Sequence, residues 1–162
     1  MNANAFRQLY DYHFAENRNL WDWFIASMPQ EQFTQQLAYS HGSVRNQTVH
    51  LMRVDDAWFG DLLGAETSES LDPEDSQDRA VIRAYGDAVE QKMRGYLTNL
   101  RDDMLFLKPF TAGEDKDLVL WQVLIHVVNH GTDHRAQLLR QLNDLGNKTP
   151  PQDFIFYVYD HP

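Results

Sequence analysis

The sequence contains no cysteine. That absence removes disulfides, thiolate metal sites and cysteine nucleophiles together. Basic residues are scarce as well: 14 Lys and Arg stand against 24 Asp and Glu, for a formal net charge of −10. No Lys/Arg stripe offsets this charge, so a polyanionic partner is repelled over most of the surface and nucleic-acid binding is not expected. Long apolar runs are also missing. The longest, around Leu118 to Val128, falls far short of the roughly 20 residues that a membrane span requires. The N-terminus "MNANAFRQLYDYHF" lacks the basic-then-apolar order of a secretory signal. The expectation is a soluble cytoplasmic protein with no membrane partner, in which the sequons "NQT" and "NKT" are incidental. Strand signals are few. "FTQQLAYS" could be extended, and "DFIFYVY" could be a strand or a helical turn.

What remains is ordinary globular material. The 162 residues are 43% hydrophobic and 23% charged, enough for one domain, residues 1–162, that buries roughly 70% of the unfolded chain's surface. Four segments show helical periodicity. The first runs from about Ala3 to Met28, with Phe6, Leu9, Tyr10, His13, Asn17, Leu20, Trp21 and Phe24 on one face, and Pro29 opposes its continuation. The second starts after the N-cap candidate Ser43, carries Val44, Thr48, Leu51, Val54, Trp58 and Leu62 on a stripe, and stops near Gly64. The third spans about Asp75 to Leu100, with Asp72, Glu74 and Asp75 at the positive end of its dipole. The fourth covers about Asp117 to Leu145 and ends at Gly146. An all-α four-helix bundle follows. The connections from Ser27 to Ser43 and from Leu100 to Asp117 exceed a tight hairpin, so simple up-down-up-down order is not required. In the fourth segment "LVLWQVLIHVV" is apolar on nearly every side, which predicts a central helix or one covered by a second copy in a homodimer.

That same segment places His126, His130 and His134 at successive four-residue intervals. Residues at i and i+4 lie roughly 5–6 Å apart at Cβ, close enough for two imidazoles to share an ion at about 2.0–2.1 Å. Either His126/His130 or His130/His134 fits. All three do not, because about 12 Å of helix rise separates the outer two. A single histidine on an apolar face is usually a hydrogen-bonded core residue, but three such side chains each need partners for two ring nitrogens. Of the others, His41 and His161 read as surface residues, His13 as a core or pocket residue, and His50 lies on the shoulder of the second stripe, where it can point into an interhelical seam. Gly131 occupies the place where an HExxH protease needs Glu, and no helical His has a carboxylate three residues before it. Zincin and di-iron chemistry are therefore unsupported. A mononuclear site of neutral nitrogen ligands with open coordination positions is the remaining option.

The stretches "YHFAENRNLW", "VHLMRVDDAWF" and "HVVNHGTDHRAQLLRQL", with the tail "GNKTPPQDFIFY", resemble the DinB/YfiT-like superfamily of metal-dependent bundle proteins. The likeness spans nearly the whole chain. Its most specific part is the last-helix pattern His-x-x-x-His-Arg followed by the Gly-x-x-x-Pro-Pro tail. The resemblance implies an up-down-down-up bundle, commonly dimeric, with a divalent ion held by His50, His130 and His134, and leaves His126 as a packed or supporting imidazole. It also implies thiol-dependent chemistry, because relatives include S-transferases and an isomerase in which the ion binds a low-molecular-weight thiol. Zn or Ni is the leading metal, with Fe, Mn or Co as alternatives. His13 and Asn17 are candidate pocket residues beside a small-molecule substrate. Asp55, within the second stripe, is a candidate to orient a ligand histidine. Asp55 or His126 would act as base if the chemistry were instead hydrolysis by an ion-bound water. A non-enzymatic, stress-related metal-binding dimer is the third reading. Gly131 in mid-helix costs about 1 kcal/mol relative to Ala, which predicts a close approach by another helix. Asp133 is expected to face solvent, and Phe154, Phe156 and Tyr157 to wall the site or simply to pack.

Overall fold

The computed structural model describes residues 1–65, 71–72 and 77–161, and is helical with no strand among them. Four long helices form the body: α1 (Ala3–Leu20), α3 (Val44–Leu63), α4 (Arg79–Thr98) and α5 (Leu120–Asp144). Two short ones, α2 (Gln30–Thr34) and α6 (Phe154–Asp160), lie in the first connection and the tail. "DFIFYVY" is therefore helical, and "FTQQLAYS" begins inside α2 and continues as a loop.

The caps follow local chemistry. Asn2 accepts from Ala5 N–H and opens α1, and Ser43 accepts from Asn46 N–H at 3.1 Å and opens α3. Gly64 closes α3 at φ 62°, a left-handed conformation that costs glycine no Cβ clash. Two boundaries differ from the periodicity. Glu74 and Asp75, and with them the expected start of the third helix, lie outside the described residues; Gln77 and Asp78 are not yet helical, and the Asp78 side chain caps α4 by accepting from Ala80 N–H at 2.8 Å. The fourth helix begins at Leu120 rather than Asp117, because Glu114–Asp117 form a separate 3-10 turn and Leu118 and Val119 are extended.

The end of the first helix also departs from a plain α-helix. After Leu20 the chain makes a π-helical turn, Trp21–Ile25, in which Ala26 N–H reaches the Trp21 carbonyl at 2.8 Å. The wider turn buries Trp21 and Ile25 and leaves Trp23 exposed.

Pairings between helices fix the directions. Tyr10 bonds the Leu124 carbonyl and Arg135 bonds Asn17, so α1 and α5 are parallel. Gln47 meets His134 and Trp58 meets His126, so α3 and α5 are antiparallel. Tyr85 bonds Asp56 and Phe59 meets Tyr96, so α3 and α4 are parallel. The order is up-down-down-up, with α3 and α1 each packed between α4 and α5.

Two apolar clusters fill the interior. One gathers Phe6, Tyr10, Phe14, Phe59, Met93, Leu97 and Leu124; the other gathers Leu20, Ile25, Phe33, Val49, Ile82, Leu138 and Leu142. Full burial of each such side chain contributes about 1.5–3 kcal/mol. Where the two clusters meet lie polar side chains, Asn17 on α1, Asp55 on α3 and His130, His134 and Arg135 on α5, with His13 and His50 beside them. This belt holds the candidate site.

Candidate metal centre

Because α3 and α5 run antiparallel, His50 comes level with His130 and His134. Ring centroids are 5.2 Å apart for His50–His130, 4.5 Å for His50–His134 and 4.1 Å for His130–His134. The Nε2 atoms of His50 and His130 stand 3.2 Å apart. Two nitrogens bound tetrahedrally to one ion at 2.0–2.1 Å would be separated by about 3.3 Å. The spacing fits.

The electrostatics agree with the geometry. Burial, reinforced by the neighbouring imidazoles, pushes His50 and His130 each down to about 4. His134 is lowered by burial and by His41. Neutral rings at pH 7 present the lone pairs that a cation requires. The Nδ1 of His130 is buried without a hydrogen-bond partner, an uncompensated polar atom inside the protein.

His134 is held from behind by a residue that the periodicity did not single out. Gln47, fully buried, donates through Nε2 to the His134 carbonyl at 3.1 Å, and the same Nε2 lies 2.8 Å from His134 Nδ1. Its position three residues before His50 on α3 is the one sequence signal that could have found it.

His41 is the second residue missed. It is exposed, as expected for a connection, yet its ring stacks on His50 with centroids 3.8 Å apart. Among the described residues, His41, His50 and His134 form a group whose ligand nitrogens all lie within 4.8 Å of one another. His126 stays outside the cluster, exposed, edge-on to Trp58 at 5.0 Å and 6.1 Å from His130.

A second buried array lies alongside. His13, with no exposed surface, is 3.0 Å from Asp55 Oδ2 through Nε2, and Arg135 donates to its Nδ1 at 3.1 Å. Arg135 also donates to Asn17 Oδ1 and to Thr132 Oγ1, and lies over the Tyr12 ring. Asp55 thus orients His13, and its Oδ1 has no partner, although its charge raises the affinity of His130 for a proton. Asn17 and Asp55 line an apolar crevice with Phe14, Trp21 and Met52, but no histidine of the cluster reaches it. Gly131 is where this array touches α5. A Cβ there would stand 2.6 Å from His13 Nδ1, which accounts for glycine in mid-helix. Asp133 is exposed and bonds Gln137. Phe154 and Tyr157 pack on Tyr12, and Phe156 is exposed.

Together these features define an up-down-down-up bundle with a histidine-lined candidate metal centre between two antiparallel helices. The chain belongs to the DinB family, whose model matches residues 1–161. It is similar to "Protein DinB" of Bacillus subtilis (strain 168), 24% identical over 168 residues that cover 98% of this chain and 96% of that one.

Proposed function

We propose that residues 1–162 form one metal-dependent catalytic unit in which His50, His130 and His134 hold a single divalent ion, and that the reaction is a thiol S-transfer. The observation that carries the reading is the convergence of neutral imidazoles from two helices, with a nitrogen–nitrogen separation of 3.2 Å between His50 and His130. Zn or Ni suits this nitrogen donor set first, with Fe, Mn or Co as alternatives. When bound, such an ion lowers the pKa of a neighbouring thiol and so favours the nucleophilic thiolate. The chain has no cysteine, so the thiol is a small molecule brought from outside.

The protein's own residues do the rest. α3 and α5 fix the spacing of the three rings, and Gln47 fixes the orientation of His134. The His13–Asp55–Arg135 array keeps a charged layer buried next to them and sets how closely α1 approaches α5. The same reading takes the protein as a cytoplasmic homodimer acting on a small molecule. The exposed Phe106 and Leu107, and the exposed aromatic face of α6, supply apolar surface for a second copy. Among the described residues no helix is long and apolar enough to cross a membrane.

The test is metal analysis of protein purified without a histidine tag, beside His50→Ala and His130→Ala. A single ion per chain that disappears in both variants is expected, followed by turnover of a model electrophile only when a small thiol is added. Equal metal content in all three proteins would remove the site. Turnover without thiol would favour hydrolysis with Asp55 or His126 as base, and an ion without turnover would favour a stabilising role.

A further inference from the structure

We propose that His41 is a fourth imidazole of this centre, a loop-borne ligand that caps the ion at rest and can be displaced by an incoming anion. The inference rests on the cluster being a metal site and adds a ligand that the helices do not provide.

The placement of His41 carries it. Its ring stacks on His50 at 3.8 Å with 24° between planes, and lies 5.4 Å from His134. One of its nitrogens falls within 4.8 Å of ligand atoms on both. Nothing apolar requires this arrangement, because His41 is exposed and solvent was available to it. The loop is instead shaped to bring the ring in. Ser40 and Gly42, on either side, have φ of 51° and 82°. For serine such a backbone is unfavourable and persists only where its surroundings enforce it.

The surroundings do enforce it. Leu37 N–H bonds the Gly42 carbonyl at 2.6 Å, and Gln141 donates to the Tyr39 carbonyl at 3.2 Å. Ser40 Oγ lies 2.7 Å from Gln47 Oε1 and also contacts Gln137. Gln47 is the residue that holds His134. One buried amide therefore ties the loop presenting His41 to a helical ligand on α5.

The consequence is a division of labour. His50, His130 and His134 stand on rigid helices, whereas His41 stands on an exposed loop that can withdraw. Four imidazoles would close a tetrahedral shell of the structural kind, and three would leave the open position of the catalytic kind. A removable fourth ligand allows the protein to pass from one to the other.

The experiment uses the full chain loaded with Co(II), whose visible spectrum reports coordination number, and azide as the probe anion. Wild type, His41→Ala, His41→Gln and His50→Ala are compared, with thermal melts of the ion-free proteins confirming that each is folded. In both His41 variants the ion should still bind, at least about tenfold more weakly, with a changed visible spectrum. Azide should bind those variants at least about tenfold more tightly than wild type, because no imidazole has to leave. Unchanged ion affinity, spectrum and azide affinity in both, with ion lost only in His50→Ala, would overturn the proposal and leave the metal site standing. Complete loss of the ion in the His41 variants would overturn the displaceable cap by making His41 obligatory. Failure of wild type to take up Co(II) would remove both.

Discussion

Replacing Gly131 by alanine tests the interior that positions the site. In an exposed helix the change would be favourable by about 1 kcal/mol, since alanine is the better helix former. Here the new methyl carbon would meet the His13 ring 2.6 Å from Nδ1. Comfortable contact begins near 3.5 Å, so the ring must retreat by about 1 Å. His13 is fully buried and bonded to Asp55 at 3.0 Å and Arg135 at 3.1 Å, which leaves it nowhere to go without breaking a bond. Overpacking costs about 1–3 kcal/mol, and loss of one hydrogen bond to a charged group about 1.5–3 kcal/mol. Against the helical gain, the net is a destabilisation of about 1.5–5 kcal/mol. The assay is urea unfolding of ion-free protein, read as a lower midpoint at unchanged slope. Gly95→Ala is the control, because an added Cβ at Gly95 in α4 meets nothing within 4 Å, and it should be neutral or stabilising by up to about 1 kcal/mol. If Gly131→Ala matched the control, the His13 array would not constrain the approach of α1 to α5.

Three further outcomes follow from the same geometry. Gln47→Ala should weaken ion binding about 10–100-fold by freeing His134, measured by competition with a chromophoric chelator; an unchanged affinity would show that the 2.8 Å bond does not matter. Because burial holds His50 and His130 at about 4 in the folded state against about 6.5 when unfolded, protons bind the unfolded chain first. Ion-free protein should therefore lose stability as pH falls from about 6.5 toward 4, and a His50→Ala/His130→Ala double variant should lose less; parallel pH profiles of melting temperature would contradict this. Removing the ion with a chelator at neutral pH should lower the melting temperature, since an ion present at 100 times its dissociation constant contributes about 2.7 kcal/mol, or about 5–11 °C for a domain of this size. No shift in a calorimetric scan would mean that no ion had bound to the folded state.

The long helices were legible because their signal is local. The stripes on α1, α3 and α5 repeat over many turns, and Ser43 and Gly64 mark the ends of α3 by chemistry that needs no partner elsewhere. The start of α4 was less so. Several acidic residues precede it, and which one caps is decided by reach to a backbone N–H, as Asp78 has to Ala80. The π turn at Trp21 was invisible because it leaves the apolar spacing almost unaltered.

At the site, the histidines on α3 and α5 could be picked out, since helical spacing limits which of them can meet. His41 could not. Its position over His50 depends on bonds from Ser40 to Gln137 and from Gln141 to Tyr39, each spanning about a hundred residues of sequence. Asp55 was expected to serve a ligand and instead holds His13, a pairing set by how α1 lies against α3. Arg135 belongs to the quoted last-helix pattern, but its place under Tyr12 and against His13 becomes readable only when α1 and α5 are seen to be parallel.

The most direct test of the central claim is anomalous diffraction from crystals of the untagged protein, collected at the absorption edge of whatever metal it retains. A single peak is expected in the seam between α3 and α5, about 2.0–2.1 Å from nitrogens of His50, His130 and His134. A peak confined to surface carboxylates, or those three rings packed together with no peak between them in protein supplied with metal, would contradict it.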